Sequence, residues 1–394
     1  MNPRILFVGM TDSVHAARWM RQVADQGWDL RMFPVYAARP SPELRDLTVY
    51  GLSLFSPGGM DKSVRYRGLL PMGRGGGRAE KLIFRACPQL WEFSLARLIE
   101  LIRPDIVHSL EFQHAAYLTL AARARVSRGF PTWIVSNWGS DIYLYGRLEE
   151  HRTKIKQVLS GCDYYCCECQ RDVRLARDMG LRGKALPPLP NAGGFDLSRV
   201  SSLRQAGKVS SRRLILLKGY QGWAGRALMG LRALGLCRDS LKGYQIAVYS
   251  ATPDVRIAAE LFEQDTGIQV RIVPQCPHEE MLGLFGQARI YLGLSISDAI
   301  STSLLEAMVM GAFPIQSCTS CADEWIADKK NGLIVPPEDP GPIAEAIRMA
   351  VEHDDLVDRA ADVNARLAEE RLDQATIRPR VIEMYQDILV SRRT

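Results

Sequence analysis

Residues 4–35, "RILFVGMTDSVHAARWMRQVADQGWDLRMFPV", decide the fold. They open with a short apolar strand, "RILFVG", and continue with "VHAARWMRQVADQG", in which Gly27 supplies the helix stop. The small and apolar residues of the second segment share one helical face: Ala16, Ala17, Met20, Val23 and Ala24. A second strand, "WDLRMFPV", follows at once. This order predicts a strand–helix–strand unit.

The same order of elements starts again at residue 213. The strand "RLILLKG" precedes a helical "RALMGLRALG" and a further strand, "YQIAVYS". Strands continue to alternate with helices in both halves, which predicts an α/β protein with two doubly wound, Rossmann-like domains. Because ligands bind outside the carboxyl ends of the strands in open parallel sheets, the two domains are expected to face a central cleft.

Breaks in the periodicity divide the chain into four segments. The proline- and glycine-rich "LPPLPNAGGFDLSRV" places a boundary near residue 190. We predict a first domain over 1–190, a linker over 191–212, a second domain over 213–372 and a C-terminal helix over 373–394 that packs back on the first domain. A glycine-rich, basic stretch, "GGMDKSVRYRGLLPMGRGGGRAEK", is predicted to be a mobile loop beside the cleft, because it lacks the G-K-[ST] ending of a phosphate-binding P-loop.

Composition narrows the setting. The 394 residues are 47% apolar and 24% charged, as in soluble globular proteins. No stretch reaches the roughly 18 apolar residues of a membrane span, so a cytoplasmic location is expected. The nine cysteines are interpreted as reduced thiols, and "CDYYCCECQ" is interpreted as an apolar strand; a zinc site is the alternative.

Positive charge is concentrated in one part of the chain. Residues 61–130 contain 12 Lys or Arg against 6 Asp or Glu, which equals the whole net charge of +6. A basic face suits an anionic surface, so peripheral contact with the inner face of a membrane is one interpretation. A merely solvated surface is the other. No nucleic-acid partner is predicted.

One segment, "SISDAISTSLLEAMVMGAFPIQS" at 295–317, combines an apolar run with two acids, Asp298 and Glu306. Leaving a polar group buried without partners costs about 2 to 7 kcal/mol, and a charge costs more, so Glu306 needs something to hold. The pattern predicts a helix from near Thr302 to Gly311. Its first backbone N–H groups form an anion site, and a nucleotide diphosphate bound there would bring its ribose to Glu306. The residues of that anion site are Ser301, Thr302 and Ser303.

The chain resembles a known family. The segment around Asp298 and Glu306 is similar to the E-x7-E segment of the retaining GT-B glycosyltransferases of family 4, the clan of glycogen synthase and related mannosyltransferases, with aspartate in place of the first glutamate. Further motifs follow in the family's order: "DSVHAARW", "PDIVHSL", "WGSDI", "LPNAGGFD", "CADEWI" and "NGLIVPPED". The resemblance spans nearly the whole chain.

The resemblance implies a fold, an activity and a donor site. The fold is GT-B, and the activity is transfer of a hexosyl group from a nucleotide diphosphate sugar, with retention of anomeric configuration and with neither a cofactor nor a metal. Asp298 would contact the donor sugar and Glu306 the ribose. Lys218 and Arg226 would neutralise the leaving diphosphate, with Gly219 beside it. For Arg226, a place on a helix surface is the alternative.

The first domain would bind the acceptor, a cell-surface glycan or a lipid-linked precursor of polysaccharide biosynthesis. His15 is interpreted as a substrate contact, with a capping role as the alternative. Asp141 would orient an acceptor hydroxyl or cap the following segment. His108 would contact the acceptor or be a bonded core histidine, and Trp138 stands where family members often carry histidine.

Two other functions remain open at this stage. One is a GT-B nucleotide-sugar epimerase, which would convert the donor without an acceptor. The other is a catalytically silent subunit that only binds a sugar nucleotide. Donor turnover separates the three functions.

Overall fold

The structure, a computed structural model, describes residues 2–51, 59–69 and 87–392. The chain divides into two compact units. The N-terminal unit contains Met1–Gly193 and Ile377–Thr394, and the C-terminal unit contains Gly194–Thr376. Among the described residues, none of the helices combines the length and the apolar composition that crossing a bilayer requires.

The N-terminal unit is built on an eight-stranded sheet with the strand order β4-β3-β2-β1-β5-β6-β7-β8. Every pairing is parallel. The strands are β1 (Arg4–Gly9), β2 (Asp29–Pro34), β3 (Thr48–Gly51), β4 (Arg65–Gly68), β5 (Ile106–Leu110), β6 (Thr132–Ser136), β7 (Tyr164–Cys166) and β8 (Lys184–Ala185). The chain order reverses at β1, so the carboxyl ends of β1 and β5 form the switch point where ligands bind in such sheets.

Helices cover this sheet. They are α1 (Val14–Arg21), α2 (Pro88–Ile102), α3 (Tyr117–Arg123), α4 (Glu149–Gly161) and α5 (Gln170–Asp178). A π-helical turn, Phe112–Ala116, leads into α3, and a 3-10 turn lies at Tyr145–Arg147. Ser13 caps α1 by accepting a hydrogen bond from the Ala16 N–H at 3.3 Å.

The C-terminal unit has a six-stranded sheet with the order β11-β10-β9-β12-β13-β14, again parallel throughout. Its strands are β9 (Leu214–Lys218), β10 (Gln245–Tyr249), β11 (Val270–Val273), β12 (Ala288–Gly293), β13 (Phe313–Ser317) and β14 (Leu333–Val335). The order reverses at β9, which places the switch point between β9 and β12.

The helices of this unit are α6 (Leu197–Ser201), α7 (Ala227–Leu236), α8 (Pro253–Thr266), α9 (His278–Gln287), α10 (Thr302–Met310), α11 (Pro340–Glu352) and α12 (Asp354–Arg371). Three 3-10 turns accompany them, at Val209–Ser211, Arg238–Leu241 and Ala322–Glu324. The predicted bounds of α10 are confirmed: Gly311, with a φ of 81°, adopts the left-handed conformation that ends the helix.

The last helix, α13 (Gln374–Ser391), begins in the C-terminal unit and packs in the core of the N-terminal unit. Its buried face consists of Ile377, Val381, Met384, Tyr385 and Ile388. Buried clusters lie on both faces of the N-terminal sheet, and another large buried cluster lies in the C-terminal unit.

Two sequence predictions change in detail, and a third is confirmed. The segment 191–212 contains α6 and the buried side chains of Val209 and Arg212, so much of it is packed structure rather than an open linker. Within the predicted basic loop, Arg65–Gly68 form strand β4, while residues 58 and 70–81 lie outside the described residues. The cysteine-rich segment contains the apolar strand that was predicted, and its four cysteines are buried free thiols.

Candidate active site

The N-terminus of α10 lies at the carboxyl edge of the C-terminal sheet. Ser301 is the residue before the helix, and its carbonyl accepts hydrogen bonds from the Leu304 and Leu305 N–H groups. The N–H groups of Thr302 and Ser303 have no acceptor within the helix, as at any helix start. Ser301 is buried, and its hydroxyl has no hydrogen-bond partner within the described chain. The three residues therefore lie together as predicted, with donors that suit an anion.

Lys218 ends strand β9 at the same edge. Its ammonium makes no hydrogen bond or ion pair with any described residue of the chain. Burial favours the neutral amine, but Tyr291, Asp298 and Glu306 outweigh that effect, so the pKa of Lys218 lies above its usual value. The ammonium therefore stays charged, and its N–H donors have no acceptor among the described residues. Its environment suits a negatively charged ligand.

Gly219 follows Lys218 and has a packing role. A Cβ atom there would lie 2.8 Å from the Ala251 Cα atom and 2.9 Å from the Tyr249 carbonyl oxygen. The Gly219 N–H already donates to that carbonyl at 2.7 Å. Glycine therefore permits the close approach of β9 and β10 at the position beside Lys218, where the sequence predicted it.

Glu306 lies on α10 with only 10% of its side chain exposed. Its Oε1 atom accepts a hydrogen bond from Nε2 of His278, the first residue of α9, at 2.7 Å. Among the described residues, no other side chain hydrogen-bonds to this carboxylate. The sequence prediction identified Glu306 and missed His278, because a residue at a helix start gives no sign of which distant side chain it contacts.

Asp298 is half-buried in the loop that joins β12 to α10. Its Oδ1 atom accepts the Ala299 N–H at 2.9 Å, and its charge contributes to the raised pKa of Lys218. The loop is fixed at Ile296, whose N–H donates to the Ala224 carbonyl at 2.8 Å. The structure thus brings Lys218, Asp298 and Glu306 together at one edge of one sheet.

Arg226 differs from the predicted diphosphate contact. Its Nε atom lies 3.0 Å from Oε1 of Glu338, and Nη1 donates to the Gly225 carbonyl at 2.8 Å and to the Gly222 carbonyl at 3.2 Å. The guanidinium is therefore engaged with protein groups. A diphosphate at Arg226 would have to compete with the Glu338 carboxylate.

Two tyrosines lie under this edge and were not predicted. Tyr249 and Tyr291 are buried, and neither hydroxyl has a hydrogen-bond partner of ordinary geometry in the described chain. Burial raises the pKa of Tyr291, while the nearby Lys218 ammonium partly offsets that effect. A side chain at Gly293 would collide with the Tyr291 hydroxyl. The sequence showed both tyrosines only as members of apolar strands.

His108, on β5 of the N-terminal unit, is a core residue. Its Nδ1 atom lies 2.6 Å from the Tyr385 hydroxyl and its Nε2 atom 2.8 Å from the Ser136 hydroxyl. The ring is fully buried, and burial lowers its pKa to about 3. The structure contradicts a direct acceptor contact for His108 and supports the alternative of a bonded core histidine.

Asp141 is also tied to the protein. Its Oδ2 atom accepts the Trp138 N–H at 2.8 Å and the Phe112 N–H at 3.0 Å. Burial, together with the nearby charge of Glu111, raises the pKa of Asp141 well above its usual value. These contacts fix the "WGSDI" turn against the start of the π-helical turn, so the geometry favours the capping role over a contact with an acceptor hydroxyl.

Trp138 and His15 lie against each other, with their ring centroids 6.2 Å apart in an edge-to-face arrangement. His15 is exposed in the first turn of α1, and Trp138 is partly buried. The Trp138 Nε1 atom is buried without a hydrogen-bond partner in the described residues. Both side chains lie near the carboxyl ends of their strands, as an acceptor site would require.

Beside them lies a polar group that sequence reasoning missed. Glu111 has φ 91° and ψ 163°, a backbone conformation that residues other than glycine rarely adopt. Its carboxylate accepts the N–H groups of His114 and Ala115 at 2.8 and 2.5 Å and lies 3.3 Å from the His114 ring. The Glu111 hydrogen bond raises the pKa of His114. Tyr36 packs edge-to-face on His114 and donates to Asp12 at 2.9 Å.

Two segments of the chain match known families. Residues 259–366 match the family described as "Glycosyl transferases group 1", and residues 89–164 match "Glycosyl transferase 4-like". The first segment contains Asp298, Glu306 and His278; the second contains His108, Glu111 and Asp141. No curated protein matches the sequence.

Solved structures with the same fold match over the whole chain. A sucrose-phosphate synthase from Thermosynechococcus elongatus has a TM-score of 0.72 at 14% identity, with 99% of this chain and 100% of that chain covered. The trehalose-phosphate synthase (UDP-forming) of Burkholderia vietnamiensis has a TM-score of 0.72 at 11% identity, with full coverage of both chains, 100% and 100%.

The Anabaena protein HepE in complex with UDP-glucose has a TM-score of 0.68 at 14% identity, with 97% of this chain and 99% of that chain covered. At these identities the similarity establishes a shared fold. The two family matches show that both segments are of glycosyltransferase type. The chain therefore has the GT-B fold, and two of its segments, 89–164 and 259–366, are similar to glycosyltransferase families.

Proposed function

We propose that this glycosyltransferase moves a hexosyl group from a nucleotide diphosphate sugar to a hydroxyl acceptor with retention of anomeric configuration. The observation that carries the proposal is the ammonium of Lys218, which has no partner in the described chain and lies with Asp298 and Glu306 at the carboxyl edge of the C-terminal sheet. An ammonium beside a helix N-terminus suits a diphosphate.

Each part of the donor has a matching group. The diphosphate would lie between Lys218 and the first N–H groups of α10, and Glu306 would accept hydrogen bonds from the ribose hydroxyls. Asp298 would orient the sugar. The similarity to HepE, which was crystallised with UDP-glucose, supports a nucleotide-sugar donor.

The bond changes follow from this placement. The bond between the sugar C1 atom and the diphosphate oxygen breaks, and its electron pair stays with the diphosphate. The acceptor oxygen forms the new bond to C1 from the same face, and its proton passes to the leaving diphosphate. Lys218 and the helix N-terminus stabilise the charge that develops as the diphosphate leaves. Activity that persists in excess EDTA would support transfer without a metal; loss that Mg²⁺ restores would contradict it.

A screen of donors tests the proposal. A ligand at 100 times its dissociation constant stabilises a protein by about 2.7 kcal/mol, so thermal shift with UDP-, GDP- and ADP-glucose should identify the nucleotide. We then expect the nucleoside diphosphate to be released, and the sugar to be transferred, only when an acceptor is present. Conversion of the donor without an acceptor would indicate an epimerase, and binding without turnover would indicate a silent subunit; either result contradicts the proposed transfer.

For the acceptor, we propose a lipid-linked or cell-surface glycan reached at an anionic membrane surface. Helix α2 exposes Phe93 (56%) and Leu101 (71%) with Arg97 between them, and the Arg125 guanidinium lies 4.8 Å from the Phe93 ring. Each Lys or Arg close to an anionic surface contributes about 1 kcal/mol at low salt. Co-sedimentation with anionic vesicles, weakened by salt, is expected; equal binding to anionic and neutral vesicles, or to neither, would exclude this surface.

A further inference from the structure

His278 lies at the start of α9 in a fixed position. The neighbouring Glu279 forms an ion pair with Arg199 of α6 at 2.7 Å, and α9 packs against α10. The imidazole is 35% exposed, whereas Glu306, which it contacts, is 10% exposed. The histidine therefore stands between solvent and the buried acid.

The contact has a defined chemistry. A carboxylate only accepts hydrogen bonds, so the His278 Nε2 atom must carry a proton at its distance of 2.7 Å from Oε1. An imidazole that carries its proton on Nε2 can supply that hydrogen bond. One oxygen of Glu306 is thereby occupied, and Oε2 makes no hydrogen bond to the described residues.

We propose that His278 is a positioning residue of the donor site, which holds Oε1 of Glu306 so that Oε2 faces the ribose hydroxyls. This inference rests on the proposed function, in which Glu306 binds the ribose. A glutamate has three rotatable side-chain bonds, and fixing it before the ligand arrives lowers the ordering cost of binding. His278 acts through Glu306 and does not itself contact the donor.

The role of His278 differs from a purely structural one in what it predicts for ribose recognition. If His278 only stabilised the junction of α9 and α10, its loss would change the melting temperature and leave discrimination between ribose and deoxyribose unchanged. If it positions Glu306, its loss would weaken binding of a ribonucleotide more than that of the corresponding 2′-deoxyribonucleotide.

The experiment compares four proteins: the wild type, His278→Leu, His278→Gln and the control His353→Leu. The glutamine amide can still donate to Glu306, whereas leucine cannot. His353 is an exposed histidine of the same unit whose side chain makes no capping hydrogen bond. The probes are UDP and 2′-deoxy-UDP, or the GDP or ADP pair if that base binds the wild type most tightly, and affinity is measured by calorimetry.

We expect His278→Leu to weaken UDP binding about tenfold and 2′-deoxy-UDP binding less than threefold. The dissociation constant of 2′-deoxy-UDP divided by that of UDP should therefore fall. The KM for the donor should rise, whereas kcat should stay within about threefold of the wild-type value. His278→Gln should recover most of the affinity, and His353→Leu should match the wild type.

An unchanged ratio in a folded His278→Leu variant overturns the inference. Equal losses for both nucleotides, or failure of glutamine to recover affinity where it folds like the wild type, also overturn it. If leucine prevents folding, His278→Ala takes its place in the same comparison, because alanine also removes the donor to Glu306. Should no nucleoside diphosphate bind the wild type, the proposed function itself fails, which is a distinguishable result.

Discussion

The carboxyl edges of the two sheets differ in whether their polar and ionisable groups have partners within the protein. In the C-terminal unit, Lys218 keeps an ammonium for which the described chain provides no partner, and buried hydroxyls of Tyr249 and Tyr291 lack partners beside it. In the N-terminal unit, the carboxyl groups of Asp141 and Glu111 accept hydrogen bonds from backbone N–H groups. An edge that keeps unsatisfied positive charge suits an anionic donor. At the N-terminal edge the two carboxyl groups hold backbone turns in place instead of facing an ionic ligand.

Lys218→Met should give the largest effect, because it removes the positive charge on which the C-terminal edge depends. We expect kcat/KM for sugar transfer to fall by about 100- to 1,000-fold, as when one donor to a developing anion is lost. The melting temperature should fall only modestly, since Lys218 makes no hydrogen bond to the described residues but its charge is stabilised by Asp298 and Glu306. Steady-state kinetics with Lys242→Met, an exposed lysine of the same unit, provide the control. A Lys218→Met enzyme of near-normal activity would place the diphosphate elsewhere.

Asp298→Asn should come next and should separate sugar from nucleotide. If Asp298 orients the donor sugar, transfer should fall by about 100-fold while affinity for the free nucleoside diphosphate stays within about twofold. Single-turnover kinetics and calorimetry on the same preparation measure both quantities. Parallel losses of rate and nucleotide affinity would mean that Asp298 supports the diphosphate site through Lys218 rather than the sugar.

Glu306→Gln should weaken nucleoside diphosphate binding at least tenfold while the protein remains folded. A hydrogen bond to a charged group contributes about 1.5 to 3 kcal/mol, and two ribose hydroxyls can donate to the carboxylate. Glu280→Gln, an exposed acid in the first turn of α9, is the matched control. A lower melting temperature with unchanged nucleotide affinity would show that Glu306 only supports the contact between α9 and α10.

The smallest effects concern two histidines of the N-terminal unit whose pKa values are shifted in opposite directions. The Glu111 hydrogen bond raises the pKa of His114, so its contribution to stability is full below about pH 6.5 and is lost as the pH rises through the folded pKa. Burial lowers the pKa of His108 to about 3, so that stability declines as the pH falls from about 6.5 toward that value.

NMR titration of the ring protons checks both histidines. His114 should titrate above its usual value in the wild type and shift downward in Glu111→Gln. His108 should stay neutral in both proteins across the pH range in which they are folded. A His114 pKa that ignores the Glu111 substitution would remove the ion pair from the account of the N-terminal edge.

Much of the fold follows from local patterns in the sequence. The repeated strand–helix–strand order gives both sheets, and Gly311 marks the end of α10 because a left-handed residue is needed there. Glu306 and Asp298 stand out as acids in an apolar segment. These features depend on residues close in sequence, where periodicity and turn chemistry carry the information.

The missing parts of the site depend on contacts between distant residues. His278 and Glu306 are 28 positions apart on different helices, and nothing local links them. His108 lies in a strand that is buried on both faces, so alternation could not show where its ring points. The role of Glu111 depends on its unusual backbone conformation. The neighbouring residues in the sequence give no sign of that conformation.

The central claim is that the carboxyl edge of the C-terminal sheet binds a nucleoside diphosphate through Lys218. Calorimetric titration of UDP, GDP and ADP into the wild type and Lys218→Met tests it most directly. We expect one of the three to bind the wild type, and to bind Lys218→Met at least thirtyfold more weakly while Lys242→Met binds like the wild type. Equal affinity in Lys218→Met and the wild type, or no binding of any of the three to the wild type, would contradict the claim.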